Sequence, residues 1–317
     1  MRILVAGGAG YVGSVLVPML LERGYEVDVL DLLWFGNHLP KDVKVLQKDI
    51  LDLCEADLDG YEQVLFLAGL SNDPMAEFSP SQNFVFNAAS PTYLAYIAKR
   101  AGVKRYIYGN SCSVYGYTTN ELYDETSPTI SNYPYGISKL QGEYGVLKLM
   151  DDSFSVISLR KGTICGYSPR MRLDLVINTM FKSALSLNRI TVNNPAIWRP
   201  ILDIRDAAYA YIRSIEANMN LGGVYNIASG NYTVGEIADS VLAGVREYLA
   251  VNPELEIKHI TDFRNYKVSI KKAEEVLSFK PMFAIPDTIK QLVDNLDCFN
   301  DFDNSNYFNI EIFKKAN

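Results

Sequence analysis

The chain opens Met1-Arg-Ile-Leu-Val-Ala-Gly7-Gly-Ala-Gly10-Tyr-Val-Gly13, and no other stretch restricts its fold as strongly. The apolar run Ile3 to Ala6 has the length and content of a buried strand and stops at a glycine. Gly7, Gly10 and Gly13 then keep a three-residue spacing as a helical pattern begins. A second apolar run, Val27 to Leu30, ends in the carboxylate of Asp31. Strand, glycine turn, helix and acid-ended strand in this order predict a dinucleotide-binding βαβ unit. Gly7 makes the tight turn, Gly10 with Tyr11 and Val12 lets a pyrophosphate reach the backbone, and Gly13 permits close packing of helix and strand. The helix N-terminus adds free N–H donors and the positive end of its dipole.

The same alternation continues. Strand-like runs at Lys44 to Leu46, Val64 to Leu67, Arg105 to Tyr108 and Ser155 to Leu159 are separated by helical stretches, at Ser79 to about Arg100 and Tyr135 to about Met150. Strands alternating with helices over 160 residues require an α/β fold with a doubly wound parallel sheet. Beyond residue 165 the rhythm turns irregular. Short strands are expected at Ile190 to Val192, Ile201 to Asp203 and Val224 to Ala228, with helices at 173–187, 204–219 and 234–249. The expected division is a Rossmann domain at 1–164 and a smaller α/β substrate lobe at 165–317, with 199–218 packing back on the first domain. At 317 residues and 48% hydrophobic content the chain can bury two such cores.

Composition excludes several classes of partner. A net charge of -7 leaves no basic face for nucleic acid or an anionic membrane. No run approaches ~20 uninterrupted apolar residues, so no membrane span is expected. Residues 1–21 imitate a signal peptide, but Gly7-Gly-Ala-Gly10 interrupts the place of its apolar centre. Cys54, Cys112, Cys165 and Cys298 are far apart, which fits a reducing compartment, so a cytoplasmic protein is expected. With His38 and His259 the only histidines, no metal site is expected.

Chemistry concentrates in two segments. Tyr135-Gly-Ile-Ser-Lys139 opens a helix, which sets Tyr and Lys one turn apart on one face. A phenol of pKa about 10 becomes a base at pH 7 only when lowered by about three units, roughly 4 kcal/mol. The Lys139 cation and an oxidised nicotinamide ring can supply that. Ser111 stands upstream at the end of a strand, on the cofactor edge of the sheet.

These residues resemble the extended short-chain dehydrogenase/reductases that act as nucleotide-sugar epimerases, dehydratases and reductases. The resemblance rests on the glycine motif, Leu67-Ala-Gly69, Asn110-Ser-Cys-Ser-Val-Tyr-Gly116 and Tyr135 to Lys139. It extends through Arg199-Pro-Ile-Leu-Asp-Ile-Arg-Asp206 and Tyr225-Asn-Ile-Ala228. It implies Tyr135 as acid/base at a sugar hydroxyl, with Lys139 on the nicotinamide ribose and Ser111 sharing the substrate hydrogen bond. It implies Asp49 and Ile50 at the adenine, and Leu67, Ala68 and Gly69 beneath the cofactor. Arg199 and Arg264 match the family's diphosphate-binding arginines, a job suited to a planar guanidinium. Ser168-Pro-Arg170-Met-Arg172-Leu-Asp174 is similar to members of the GDP-heptose 4-dehydrogenase type; Arg170 or Arg172 at the nucleotide and a solvated charge pair are both open readings. Ser71 and Asn72 lie where they can contact the sugar, or form a plain Asn-Asp-Pro turn. The resemblance also implies a homodimer or homotetramer, with helices 81–100 and 135–150 paired across a two-fold axis.

Two residues sharpen the expectation. Asp31 at the second strand end accepts bonds from ribose hydroxyls and repels a 2′-phosphate, and no Lys or Arg follows before Lys41, so the cofactor expected is NAD. Where dehydratases of the family carry Asp-Glu after the Ser/Thr, this chain has Cys112 and Ser113, which argues against water elimination. The reading is an NAD-dependent oxidoreductase on a nucleotide-diphosphate sugar, with hydride transfer at C4 of a hexose or heptose. A 4-epimerase using the same residues is the alternative. A non-catalytic cofactor-binding protein is disfavoured by the intact Ser111, Tyr135 and Lys139.

Overall fold

The computed structural model describes residues 1–116, 121–259 and 265–316. The glycine-interrupted opening forms β1 (Arg2–Ala6), α1 (Gly13–Glu22) and β2 (Glu26–Leu30). With β3 (Lys44–Leu46), β4 (Gln63–Phe66), β5 (Arg105–Ser111), β7 (Ser155–Lys161) and β11 (Gly223–Ile227) they make a seven-stranded sheet ordered β11-β7-β5-β4-β1-β2-β3. Every pairing in it is parallel. The chain runs outward from β1 to β3 and then returns to β4 on the other side of β1, so the topological switch point lies between β1 and β4. A crevice opens there at the strand carboxyl ends.

Two glycines make this geometry possible. Gly7 has φ +78°, and a Cβ on it would sit 2.4 Å from Ala68 N, so both the turn and the approach of the β4 loop exclude a side chain. A Cβ on Gly13 would meet Gly8 O at 2.2 Å, which is how α1 starts directly on the turn. Leu16, Val17 and Leu20 of α1 are fully buried, each contributing roughly 1.5–3 kcal/mol. They join a core shared with α7 (Ile204–Glu216), a helix from the later half of the chain that lies against α1. Arg105, wholly buried at the start of β5, donates to the carbonyls of Ser214 (2.9 Å) and Ala217 (2.7 Å), satisfying the end of α7 with a cation where the helix dipole is negative.

The second half departs from the sequence expectation in one important way. The strand expected at Val224 to Ala228 is not part of the later lobe: as β11 it pairs with β7 and becomes an edge of the large sheet. Its residues, Gly-Val-Tyr-Asn-Ile, would suit either sheet, so nothing local distinguishes the two. What remains is a smaller unit. β8 (Thr163–Cys165), β10 (Trp198–Asp203) and β12 (Gly230–Thr233) form one three-stranded sheet, and β9 (Arg189–Asn193) pairs with β13 (Glu254–Lys258). They pack on α6 (Val176–Ser186) and α8 (Val234–Leu249) around Phe181, Ile237, Val241 and Leu292. β6 (Leu122–Tyr123) pairs with β14 (Lys267–Val268) at the boundary of the two units.

The stretch read as one helix from Ser79 to Arg100 is α3 (Pro80–Phe84), a π-turn at Val85–Ala89 and α4 (Ser90–Arg100). The break precedes Pro91, whose missing N–H the wider turn accommodates. Asn72-Asp73-Pro74, one reading of which was a plain turn, begins α2 (Asp73–Phe78), with Asn72 as its N-cap. The catalytic-type helix is α5 (Pro134–Leu147), with Pro134 in its first turn. The tail docks: after α9 (Lys271–Val276) and α10 (Ile285–Asp294), α11 (Asn309–Ala316) buries Phe313 completely against Leu70, Met75 and Trp34. Among the described residues no helix is long and apolar enough to cross a membrane.

Candidate active site

One cavity of about 610 Å³ occupies the crevice and runs between the two units. The glycine turn (Gly7, Gly10, Tyr11, Val12, Gly13), Asp31, Asp49, Ile50, Leu67, Ala68 and Gly69 border its first-domain side. Ser71, Asn72, Ser111, Tyr135 and Lys139 border its centre, and Arg172 and Arg199 face them from the later lobe. Arg264, the second arginine expected at a diphosphate, lies outside the described residues.

The dinucleotide end is pre-organised. Asp31 is held by its own turn: Ala9 N–H donates to Oδ2 (3.0 Å) and Leu33 N–H to Oδ1 (2.8 Å). Burial raises its pKa, and these backbone bonds pull the other way. Each carboxylate oxygen keeps a further lone pair for a ribose hydroxyl. Asp49 caps the short turn Ile50–Asp52 by accepting from Leu51 N–H (2.8 Å). The Tyr11 side chain turns away from the phosphate loop to tie the lobes together: its hydroxyl donates to Gly166 O (2.6 Å) and accepts from Asn178 Nδ2 (3.1 Å). The bare glycine turn, the carboxylate of Asp31 and the buried Arg170 Nε without a partner form a donor and acceptor set that fits a dinucleotide.

At the reactive end β5 and α5 bring distant residues together. The Ser111 hydroxyl, which donates to Ser113 Oγ (3.0 Å), lies near enough to the Tyr135 phenol to lower its pKa. Lys139, buried one turn beyond Tyr135, donates to Gly109 O (2.7 Å) and lies over the Tyr108 ring. The expected lowering of the phenol involves Lys139 together with an oxidised nicotinamide; in the protein alone burial dominates. Burial pushes Tyr135 up to about 12, the Ser111 hydroxyl opposes it, and Lys139 is itself held far below the usual lysine value by burial and by the nearby Lys161. A lysine pushed toward its neutral form exerts little field on its neighbour.

Sequence reasoning passed over Lys161. It ends β7 as Ser111 ends β5, and the rule that ligands meet strand carboxyl ends would have found it had the strand been carried past Leu159. Its ammonium donates to Tyr211 Oη (2.8 Å), and burial lowers its pKa to about 8. The folded protein therefore carries a penalty that is complete below pH 8 and fades as pH rises toward the unfolded value near 10.5. The shift amounts to about 3 kcal/mol, less about 1 kcal/mol for the Tyr211 bond. Lys161→Met is thus expected to exceed the parent in stability by about 2 kcal/mol at pH 7 in urea titrations, with the gap closing between pH 8 and 10.5. A gap that widens with pH would contradict this assignment.

Toward the later lobe, Arg172 binds Asp174 through two nitrogens (2.8 and 3.0 Å), and Asn72 Nδ2 donates to the same carboxylate (3.0 Å). Arg199 lies over the Tyr266 ring, which also borders the cavity. Cys112, in the position where dehydratases carry an acid, is fully buried with its thiol on Arg160 O.

A doubly wound sheet with a glycine phosphate turn at its switch point and a Ser-Tyr-Lys set beside it defines a dinucleotide-dependent class of enzyme. The chain belongs to the NAD dependent epimerase/dehydratase family, whose profile matches residues 3–228, and its cofactor is NAD. It is 26% identical over 259 residues to the UDP-glucose 4-epimerase of Corynebacterium glutamicum, covering 75% of this chain and 79% of that protein. It is 29% identical over 308 residues to UDP-glucuronic acid decarboxylase 3 of Arabidopsis thaliana, covering 89% and 84%. The solved UDP-glucose 4-epimerase of Thermotoga maritima shares its fold, with a TM-score of 0.83 at 23% identity over 94% of this chain and 99% of that one.

Proposed function

We propose that the protein oxidises a nucleotide-diphosphate sugar at a ring hydroxyl, C4 of a hexose or heptose, with Tyr135 as acid/base. The observation that carries this reading is that Ser111, Tyr135 and Lys139, from β5 and α5, border one cavity together, with Lys139 one turn beyond Tyr135. Tyr135 Oη takes the proton of the sugar hydroxyl, while Ser111 Oγ holds that hydroxyl in line. Lys139 Nζ, positioned by Gly109 O, reaches the ribose next to the ring. When bound, NAD supplies the nicotinamide that accepts hydride. Asp31 takes the adenosine ribose, Asp49 and Ile50 the adenine, and Leu67 to Gly69 the floor. Arg199 and Arg172 face the substrate's diphosphate from the later lobe, and Ser71 and Asn72 face its sugar. The reading includes a cytoplasmic location. It also includes a homodimer or homotetramer, for which the half-exposed Tyr96 and the exposed Tyr144 offer apolar surface; sedimentation velocity reads that state directly.

A second reading is favoured by the relatives, several of which are 4-epimerases. The same residues would then return hydride to the opposite face of the sugar. Purified protein incubated with UDP-, GDP-, dTDP- and CDP-sugars, with and without added NAD, separates the two. A keto-sugar with absorbance growing at about 340 nm, the NADH band, is the result expected for the oxidoreductase. Isomerised sugar at constant absorbance establishes the epimerase, and inertness toward all four nucleotide classes would sink both.

A further inference from the structure

Arg170 borders the cavity, and the proposed reaction leaves its chemistry unused. It is 2% exposed, yet no carboxylate pairs with it among the described residues. Its guanidinium donates to Asn309 Oδ1 (2.5 Å) and, loosely, to Met171 O (3.4 Å), while its Nε is buried with no partner. Arg172, two residues on, shows the contrast: Asp174 neutralises it with two bonds. Burying a cation without a counter-ion costs several kcal/mol, so an arrangement of this kind is sustained where an anion arrives with the ligand.

The position says which anion. Ser168 Oγ donates to Tyr11 O (2.8 Å), which fastens the segment leading to Arg170 onto the glycine turn. The guanidinium stacks on Phe35, 3.6 Å from the ring centroid, just past Asp31. Arg170 is thus at the phosphate and adenosine end of the cavity, whereas Arg172 lies in the field of Tyr135 at the reactive end. Its orientation is set from the tail: Asn309, the first residue of α11, accepts from Arg170 and donates to Ser71 Oγ (2.6 Å).

We infer that Arg170 binds the diphosphate bridge of the dinucleotide, closing the phosphate site from the later lobe, and that Asn309 of the C-terminal helix is its positioning residue. Cofactor retention then depends on a segment more than a hundred residues from the glycine turn in sequence. The inference rests on NAD as the cofactor and not on which sugar is oxidised.

Titration of the intact protein with NADH, ADP-ribose, adenosine and UDP tests it by fluorescence or calorimetry, without turnover. Arg170→Met is expected to weaken NADH and ADP-ribose about 10- to 100-fold, the range for a lost hydrogen bond to a charged group. Adenosine, which lacks phosphate, and UDP should bind as they do to the parent. Arg170→Lys, which keeps the charge and loses the fork, should fall between. Without ligand, Arg170→Met should melt at or above the parent temperature, because a buried unpaired cation has gone. Asn309→Ala should weaken NADH about 3- to 10-fold in the parent, and should have no further effect in Arg170→Met, since the two act as a unit. Parent-like NADH affinity in Arg170→Met overturns the inference, as does a loss confined to UDP, which would assign Arg170 to the substrate. An Asn309→Ala loss that persists in the Arg170→Met background removes the positioning role. A parent protein that binds no NADH would instead refute the cofactor assignment itself.

Discussion

Tyr135→Phe is expected to lower kcat by about two to four orders of magnitude, the span typical of losing a positioned acid/base, while NADH affinity stays within about twofold of the parent. The change deletes one oxygen. On the proposed reaction its loss removes the acid/base but leaves the glycine turn, Asp31 and Lys139 intact. The phenol also fixes the direction of the pH dependence. Burial holds Tyr135 at about 12 in the protein alone, so at neutral pH the reactive phenolate is a small fraction that grows as pH rises. Stopped-flow or steady-state kcat in the oxidation direction should therefore climb with pH in the parent, and the climb should be missing in Tyr135→Phe. Ser111 opposes the burial, so its loss should move the climb to higher pH. Full turnover by Tyr135→Phe would show that another group carries the proton.

Glu143→Ala should cost about 3–5 kcal/mol of stability, the range for breaking one side of a buried ion pair. Glu143 and Arg160 are 2% and 5% exposed, and the carboxylate receives Arg160 through two nitrogens (2.5 and 3.1 Å). It also accepts from Asn110 (2.6 Å) and Ser158 (2.8 Å), and Arg160 reaches Tyr115 Oη (2.9 Å). Removing it strands a guanidinium and two neutral donors in a buried region. Urea unfolding measures the loss, and the double replacement Glu143→Leu with Arg160→Met should recover much of it, because no lone charge is left behind. A Glu143→Ala midpoint within about 1 kcal/mol of the parent would mean that water or a shifted side chain already serves Arg160. The network ties α5, which carries Tyr135 and Lys139, to β5 and β7, which end in Ser111 and Lys161. A fall in kcat accompanying the fall in stability is therefore part of the expectation.

Much of this molecule could be read from its chain because the controlling forces are local. The glycine turn, the strand before it, Asp31 after it and the one-turn spacing of Tyr135 and Lys139 depend on backbone sterics and on periodicities of two and 3.6 residues. Those are properties of neighbouring residues, and the sheet they begin has the parallel order that alternating strands and helices demand. The boundaries drifted where two local signals compete: β7 runs past Leu159 to Lys161 because its pairing with β5 continues there.

Three things belonged to the tertiary structure. β11 joins the large sheet because β7 offers it an unpaired edge, a fact no strand can carry in its own residues. The Tyr135 phenol is raised in the protein alone because desolvation by the assembled lobes outweighs the Ser111 hydroxyl that opposes it. Asn309 meets Arg170 and Ser71 only because the tail folds back over the first domain, and side-chain contacts across 139 and 238 positions leave no periodic trace. The sequence by itself determined that the chain opens as a dinucleotide-binding βαβ unit with its glycine turn at the strand end. The fold decided which distant side chains complete the cavity, since burial and charge pairing depend on what is near in space.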